Sequence, residues 1–347
     1  MKPMKNVKLV DDWVGDDFPC YSIAEIGGSF QNFEEAKILI DSAVELNVNA
    51  IKFQTLEAET ITTKNNFFDM KATGKVSQYE IFKRFELSKT LQQQVVDYAK
   101  DCGKVIFTAP SHIEDLKTID ELDVPIIKIG SDLACHIPLL KQVASTGKPI
   151  ILSTGMCNLE EVRDSVESIN EFSENQLILM HCVSNYPSDL NELNLRVIPN
   201  MKSEFNIPVG FSDHTPGLLS TITSVTLGAN IIERHFKDLR NTPSPDDIHA
   251  LTKDEFSKLL SSVKMIKKTL GDGEKQPTNA EKKNLTTNRV SIVTLCEISE
   301  GSIISEKMID VRRPGDGIPP KYYDEIIGRK AKTNIAKETT LKWDYLV

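Results

Sequence analysis

Short apolar runs alternate with longer segments of helical spacing from residue 20 to residue 270. The runs fall at 20–26, 50–54, 105–108, 126–129, 150–153, 177–181, 208–211 and 231–235, and most are near-continuously apolar, as strands of a buried parallel sheet are. Between them Phe33, Ala36, Ile40, Ala43 and Val44 share one helical face, and so do Phe256, Leu259, Leu260, Val263, Ile266 and Leu270. Thr252, followed three residues later by Glu255, gives the last of these helices a capping-box start. Eight strand–helix units predict an α/β fold closed into a (β/α)8 TIM barrel, which leaves no strand edge unpaired. An open doubly wound sheet is the alternative, but no glycine fingerprint follows the first run.

Two stretches depart from this rhythm. Residues 57–78 are polar and carry Lys64-Asn65-Asn66, which predicts a long loop over the barrel mouth before a helix at 79–87. After Leu270 the chain reads Gly271-Asp272-Gly273-Glu274-Lys275-Gln276-Pro277, so the barrel is assigned to 1–270, a linker to 271–289 and a second module to 290–347. That module has short β-branched runs at 291–295 and 302–304 around a turn-rich centre, Arg312-Arg313-Pro314-Gly315-Asp316-Gly317-Ile318-Pro319-Pro320. A core this small is marginal alone, which predicts packing against a barrel, its own or a partner's.

Composition narrows the function classes. The formal charge is −9 and no basic cluster interleaves with aromatics, which argues against nucleic acid as a partner. No apolar run reaches membrane-spanning length, and Met1-Lys2-Pro3-Met4-Lys5 lacks a signal peptide's apolar core, so a cytoplasmic protein is expected. Cys20, Cys102, Cys135, Cys157, Cys182 and Cys296 form no CxxC pair and read as reduced thiols.

In a barrel of this kind chemistry collects where the strands end. Two runs end on histidine, Phe211-Ser212-Asp213-His214 and Ile231-Ile232-Glu233-Arg234-His235. Parallel pairing would bring both imidazoles to one rim with Asp213 and Glu233 close enough to orient them, an arrangement that can hold a divalent cation; two satisfied loop histidines are the plain alternative. Lys52 and Lys128 sit inside apolar strands, where an unpaired ammonium is costly. With hydroxyls from Thr108, Ser131, Ser153, Ser184 and Ser212 they suit a phosphate or carboxylate; otherwise they pair with Glu25 and Glu233 as barrel-core salt bridges. Asp246 reads equally as a sugar-binding carboxylate or a turn aspartate, and Arg313 as surface charge or as a guanidinium delivered to an active site.

Taken together, Ala24-Glu25-Ile26-Gly27, Ile51-Lys52-Phe53-Gln54, Ile127-Lys128-Ile129-Gly130-Ser131, Leu152-Ser153-Thr154-Gly155-Met156, His181-Cys182-Val183-Ser184-Asn185-Tyr186-Pro187, Gly210-Phe211-Ser212-Asp213-His214-Thr215 and Glu233-Arg234-His235-Phe236 resemble the sialic acid synthase family. Arg313-Pro314-Gly315-Asp316-Gly317-Ile318-Pro319-Pro320 resembles that family's antifreeze-like (SAF) domain. The resemblance implies a transferase that condenses phosphoenolpyruvate with an N-acylated mannosamine or related amino-sugar aldehyde and releases phosphate. It further implies that His214 and His235 hold Mn2+ or Mg2+, and that Lys52, Thr108, Lys128, Ser131, Ser153, Ser184 and Ser212 hold phosphoenolpyruvate. Glu25 would position water, Gln54, Tyr186 and Asp246 would contact the sugar, and Glu233 joins the catalytic set. A domain-swapped homodimer would bring Arg313 to the neighbouring subunit's acceptor.

The chain departs from the family pattern in four places: Ser29-Phe30 in place of Asn-His, Leu133 where an acid is usual, Asp247 in place of a histidine, and Arg234 where lysine is common before the metal histidine. They predict a shifted acceptor preference. A related synthase acting on a phosphorylated aldose and a non-catalytic sugar-binding homologue are the competing readings.

Overall fold

The computed structural model describes residues 4–70, 74–172 and 176–347. The chain divides into two compact units, 1–271 and 272–347. In the first, eight parallel strands close into a barrel: β1 (Tyr21–Glu25), β2 (Ala50–Thr55), β3 (Val105–Pro110), β4 (Ile127–Ile129), β5 (Ile150–Ser153), β6 (Leu177–Cys182), β7 (Val209–Asp213) and β8 (Ile231–His235). The helices that follow them are α1 (Phe33–Glu45), α2 (Lys89–Asp101), α3 (Asp115–Glu121), α4 (Ile137–Ser145), α5 (Leu159–Asn170), α6 (Val197–Phe205), α7 (Leu219–Thr226) and α8 (Lys253–Leu270). Local signals set their starts: Asn158 and Glu161 form a capping box on α5, and Thr252 and Glu255 form the expected one on α8.

Register decides what each strand offers to the lumen, since parallel partners share a face and side chains alternate. Glu25 is paired with Lys52 and with His235, Cys182 with Ser212, and Ser212 with Glu233. This set faces the lumen. Ile23, Met180 and Ile231 lie two residues earlier on their strands and fill the barrel beneath it. Gly210 makes room for this layer, because a Cβ there would come within 2.1 Å of the Ile231 side chain. The alternate set, among it Phe53, Phe211 and Arg234, turns toward the helices, where burial of each large apolar side chain stabilises by about 1.5–3 kcal/mol.

Three features differ from the sequence expectation. Residues 57–78 hold a short helix (Ala58–Ile61) and an antiparallel hairpin (Phe67–Met70 with Gly74–Ser77), and the next helix is Gln78–Phe85. Phe68 packs edge-on against Phe82, which gives this excursion an apolar contact of its own. The hairpin Val7–Leu9 with Asp12–Val14 was not foreseen; it buries Val7, Leu9 and Val14 at the N-terminal end of the barrel, where Asp12 accepts from Asn49. The stretch 271–289, read as a linker, contains the short helices Asn279–Lys282 and Leu285–Asn288, and Gly315 N donates to Thr286 O at 2.6 Å.

The second unit pairs Ser291–Thr294 with Ile309–Arg312 over a core of Ile292, Ile298, Ile304, Ile318, Ile335 and Leu341. Arg313 follows its second strand and is exposed. No helix among the described residues is long and apolar enough to cross a membrane.

Candidate active site

Four charged side chains meet at the lumenal face, each 4 % exposed or less: Glu25, Lys52, Lys128 and Glu233. Lys52 Nζ pairs with Glu25 and lies 3.5 Å from Glu233 Oε1, while Lys128 Nζ lies 3.8 Å from the same oxygen. Lys128 also donates to Ser153 Oγ at 2.7 Å, and Ser212 Oγ donates to Glu233 Oε1 at 3.3 Å. The salt-bridge alternative is therefore what the geometry contains. It leaves capacity unused, since both lysines share one oxygen of Glu233 and the other, Oε2, has no hydrogen-bond partner. Burial, helped by the charge of Lys128, pushes the Lys52 ammonium down to about 8 against the pull of Glu233. Burial opposes charge on Glu233 too, but Lys128 and Lys52 outweigh it and hold its carboxyl below the usual range.

Beside Lys128 the ends of β4, β5 and β6 form a small polar cradle. Ser131 Oγ accepts from Gly155 N at 2.9 Å and lies 3.1 Å from Cys182 Sγ, which in turn is 3.8 Å from Ser184 Oγ. A Cβ at position 155 would sit 2.4 Å from Ser184 Oγ and 2.8 Å from both Ser131 Oγ and Cys182 Sγ. Only a glycine lets these three side chains close on the backbone of residue 155, so Ser153-Thr154-Gly155 does more than turn the chain. Thr108 is not part of this group. Strand alternation turns it toward α2, where its hydroxyl bonds Phe53 O at 3.2 Å and Thr55 Oγ1 at 2.9 Å, and Thr55 in turn reaches Gln92.

On the other side of Glu25 stands a cluster of imidazoles. His214 and His235 have ring centroids 5.6 Å apart, and His249 joins them at 4.8 Å from His235 and 5.7 Å from His214. Asp246 places Oδ2 3.5 Å from His235 Nδ1 and Oδ1 3.7 Å from His249 Nε2. Tyr186 lies over His214, with centroids 4.3 Å apart, and Gln54 packs beside Glu25 above Gly27. Burial pushes His214 down to about 4 and His249 to about 3, and it lowers His235 well below the ordinary histidine value, so all three rings are neutral at neutral pH. Asp246 moves upward, through burial and then the charge of Asp247, although a quarter of its side chain stays exposed.

The orienting groups are not those expected. His214 Nδ1 lies 3.1 Å from Val183 O, which assigns the proton there and leaves Nε2 as a free donor of electrons. Asp213 faces the helices, where Arg234, Thr215, Ser220 and Thr221 occupy its oxygens, and Glu233 belongs to the lysines. A dyad repeat sends adjacent strand residues to opposite faces, so Asp213 could not share the side of Ser212. Of the departing positions, Phe30 is core, Leu133 ends a short 3-10 turn, and Asp247 caps the turn Pro245–Ile248 by accepting from Ser244 N.

The donor set fits a divalent cation. His235 Nδ1 and both nitrogens of His249 lack hydrogen-bond partners although buried, and one ligand atom from each of His235, Asp246 and His249 lies within 4.8 Å of the others. His249 and Cys182 were missed by the sequence reading. Cys182 was within reach of simple alternation from Met180, whereas His249 is brought in by a loop. A second group, Cys135, Cys157 and Glu161, also gathers, with the two sulfurs 3.7 Å apart; all six cysteines are free.

Comparison with known proteins identifies the family. The profile of the NeuB family matches residues 39–275, and that of the SAF domain matches residues 289–347. The chain belongs to the NeuB family. Among NeuB-family relatives, a protein described only as uncharacterised, from Methanocaldococcus jannaschii, is 37 % identical over 99 % of both chains. The N,N'-diacetyllegionaminic acid synthase of Legionella pneumophila is 32 % identical, covering 96 % of each. In structure, the N-acetylneuraminic acid synthetase of Leptospira borgpetersenii, solved with citrate, superposes with a TM-score of 0.73 at 29 % identity over 82 % of this chain and 96 % of that one. Relatives of this NeuB-family chain are thus sialic-type acid synthases, and its barrel and SAF domain follow theirs.

Proposed function

We propose that the chain is a nonulosonic acid synthase, joining phosphoenolpyruvate to the open-chain aldehyde of an N-acylated mannosamine or a 6-deoxy diamino relative, with release of phosphate. The observation that carries this reading is the adjacency of two unlike half-sites. An anion cradle of Lys128, Ser131, Ser153 and Ser184 lies to one side of the Lys52–Glu25 pair, and neutral imidazoles lie to the other.

The cradle would take the phosphate through charge-assisted hydrogen bonds, with Lys128 and Ser212 supplying donors and Glu233 holding both lysines in place. Lys52 would meet the carboxylate. C3 of the enol phosphate then attacks the aldehyde carbon, the developing oxocarbenium at C2 is met by water, and Glu25, buried beside Lys52, takes that water's proton and returns it to the new alkoxide. Collapse at C2 breaks the C–O bond and releases phosphate. A divalent ion such as Mn2+ or Mg2+ on His214 and His235 would supply Lewis-acid polarisation of the aldehyde oxygen. Gln54, Tyr186 and Asp246 line the acceptor's side. In a homodimer Arg313 would serve the neighbouring subunit's acceptor.

The test is phosphate release from phosphoenolpyruvate with a panel of aldehydes, with and without chelator. Release with an N-acylated amino-sugar and loss on chelation support the reading. Release only with a phosphorylated aldose, or with none, removes it. Arg313→Ala should raise the acceptor KM and leave phosphoenolpyruvate affinity unchanged; unaltered acceptor kinetics remove the cross-subunit role.

A further inference from the structure

His249 is the buried polar group to which the proposed reaction gives no task. It is 1 % exposed, and neither ring nitrogen has a hydrogen-bond partner. A neutral imidazole carries one donor and one acceptor, and each left unmet in the interior costs about 1–3 kcal/mol. Structural histidines usually avoid this: His181, also buried, places its Nε2 2.7 Å from Leu193 O. The neighbours of His249 are two further imidazoles and a carboxylate, all of them able to bind a cation.

The loop is built to keep the ring there. Leu251 N donates to His235 O at 2.8 Å and Lys237 N to Leu251 O at 3.0 Å, which zips the strand end to the returning chain. His249 N and Ala250 N both donate to Asp246 O, at 3.0 and 2.8 Å, fixing the turn that aims Asp246 and His249 the same way. Arg234 closes the arrangement from behind. Its Nη2 donates to His249 O at 3.0 Å and to Thr215 O at 2.7 Å, and its Nη1 pairs with Asp213 at 2.5 Å. One guanidinium thereby holds the backbone of His249 and of the residue after His214. An ammonium has a single nitrogen and cannot span these three acceptors, which ties the arginine at 234 to the placement of His249.

We propose that His249 is a third imidazole ligand of the divalent-cation site, acting with His214 and His235 and accompanied by Asp246. The inference rests on the cation of the proposed function and specifies its coordination. Three neutral nitrogens favour borderline ions such as Co2+ and Zn2+ over Mg2+, which prefers oxygen. Arg234 is a positioning residue for this ligand.

The experiment is titration of metal-stripped protein with Co2+ alone, followed by calorimetry and by visible ligand-field absorption, for wild type, His249→Gln, His249→Ala and His214→Ala. In His249→Gln, Co2+ affinity should fall at least about tenfold and the absorption bands should shift, while Mg2+ affinity changes much less. Gln keeps the volume of the ring region if Ala proves unfolded, and metal-free melting checks the fold of each variant. Unchanged Co2+ affinity and spectrum in His249→Gln, with binding lost in His214→Ala, overturn the role of His249 and leave a two-imidazole site. Absence of Co2+ binding by the wild type overturns both this inference and the metal in the proposed function.

Discussion

Arg234 and Asp213 form an ion pair with both side chains fully buried, Nη1 lying 2.5 Å from Oδ2. They occupy paired positions on β8 and β7 and face the helices, directly behind the strand ends that carry His214 and His235. Removing one partner of such a pair strands the other charge in the interior, which costs about 3–5 kcal/mol. Asp213→Asn should therefore lose stability of that order in urea denaturation. A loss below about 1 kcal/mol would show that water or Thr221 can take over the guanidinium.

The lysines make a separable prediction, because Glu233 retains a cation when either is removed. In Lys128→Met the carboxylate keeps Lys52 at 3.5 Å, so the barrel should remain folded. What disappears is the ammonium beside Ser153, and a charge-assisted hydrogen bond to phosphate is worth about 1.5–3 kcal/mol. Calorimetry should show phosphoenolpyruvate binding weakened by about tenfold to a hundredfold. Binding within about twofold of wild type would place the phosphate elsewhere.

Gly155→Ala tests the cradle without touching any charge. The added methyl would stand 2.4 Å from Ser184 Oγ and 2.8 Å from Ser131 Oγ, pushing aside hydroxyls that are proposed to meet the anion. The substitution demands no unusual backbone, so melting temperature should change little while phosphoenolpyruvate no longer saturates the enzyme. Equal reductions in stability and affinity would point instead to a packing defect.

The barrel could be read from the chain because its signal is local and repeated: each apolar run and each helical stripe is legible alone, and eight of them in alternation admit few closed arrangements. The lumenal residues Glu25, Lys52, Lys128 and Glu233 were legible for a related reason, since a charge inside an apolar strand is conspicuous. Thr108 and Asp213 show that proximity to a strand end does not place a residue in the site, because the two-residue period decides which face a side chain takes. His249 was beyond local reading. Its position depends on Arg234 reaching across to its carbonyl at 3.0 Å and on Leu251 returning to His235, contacts that span 15 and 16 residues and leave no periodic trace. The hairpin at Phe67–Met70 escaped for the opposite reason, being embedded in a polar stretch whose few aromatics give too short a pattern.

His181 offers a pH prediction away from the reacting groups. Its ring lies on the helix-facing side of β6, stacked on Phe211 with centroids 5.8 Å apart, and Nε2 lies 2.7 Å from Leu193 O. Burial lowers its affinity for a proton, and the hydrogen bond to Leu193 offsets this only in part, so the folded value lies below the unfolded one. Between those two values the unfolded chain binds the extra proton, and stability rises with pH. The contribution of His181 is thus complete above the unfolded value of about 6.5 and is lost as pH falls toward the folded one. Urea denaturation of wild type and His181→Gln should show a stability gap that is constant from about pH 8 to pH 7 and narrows steadily below about 6.5. A gap that holds its size down to about pH 5 would mean that the folded protein accepts the proton as readily as the unfolded chain, and that the interior around Phe211 is wetter than its packing implies.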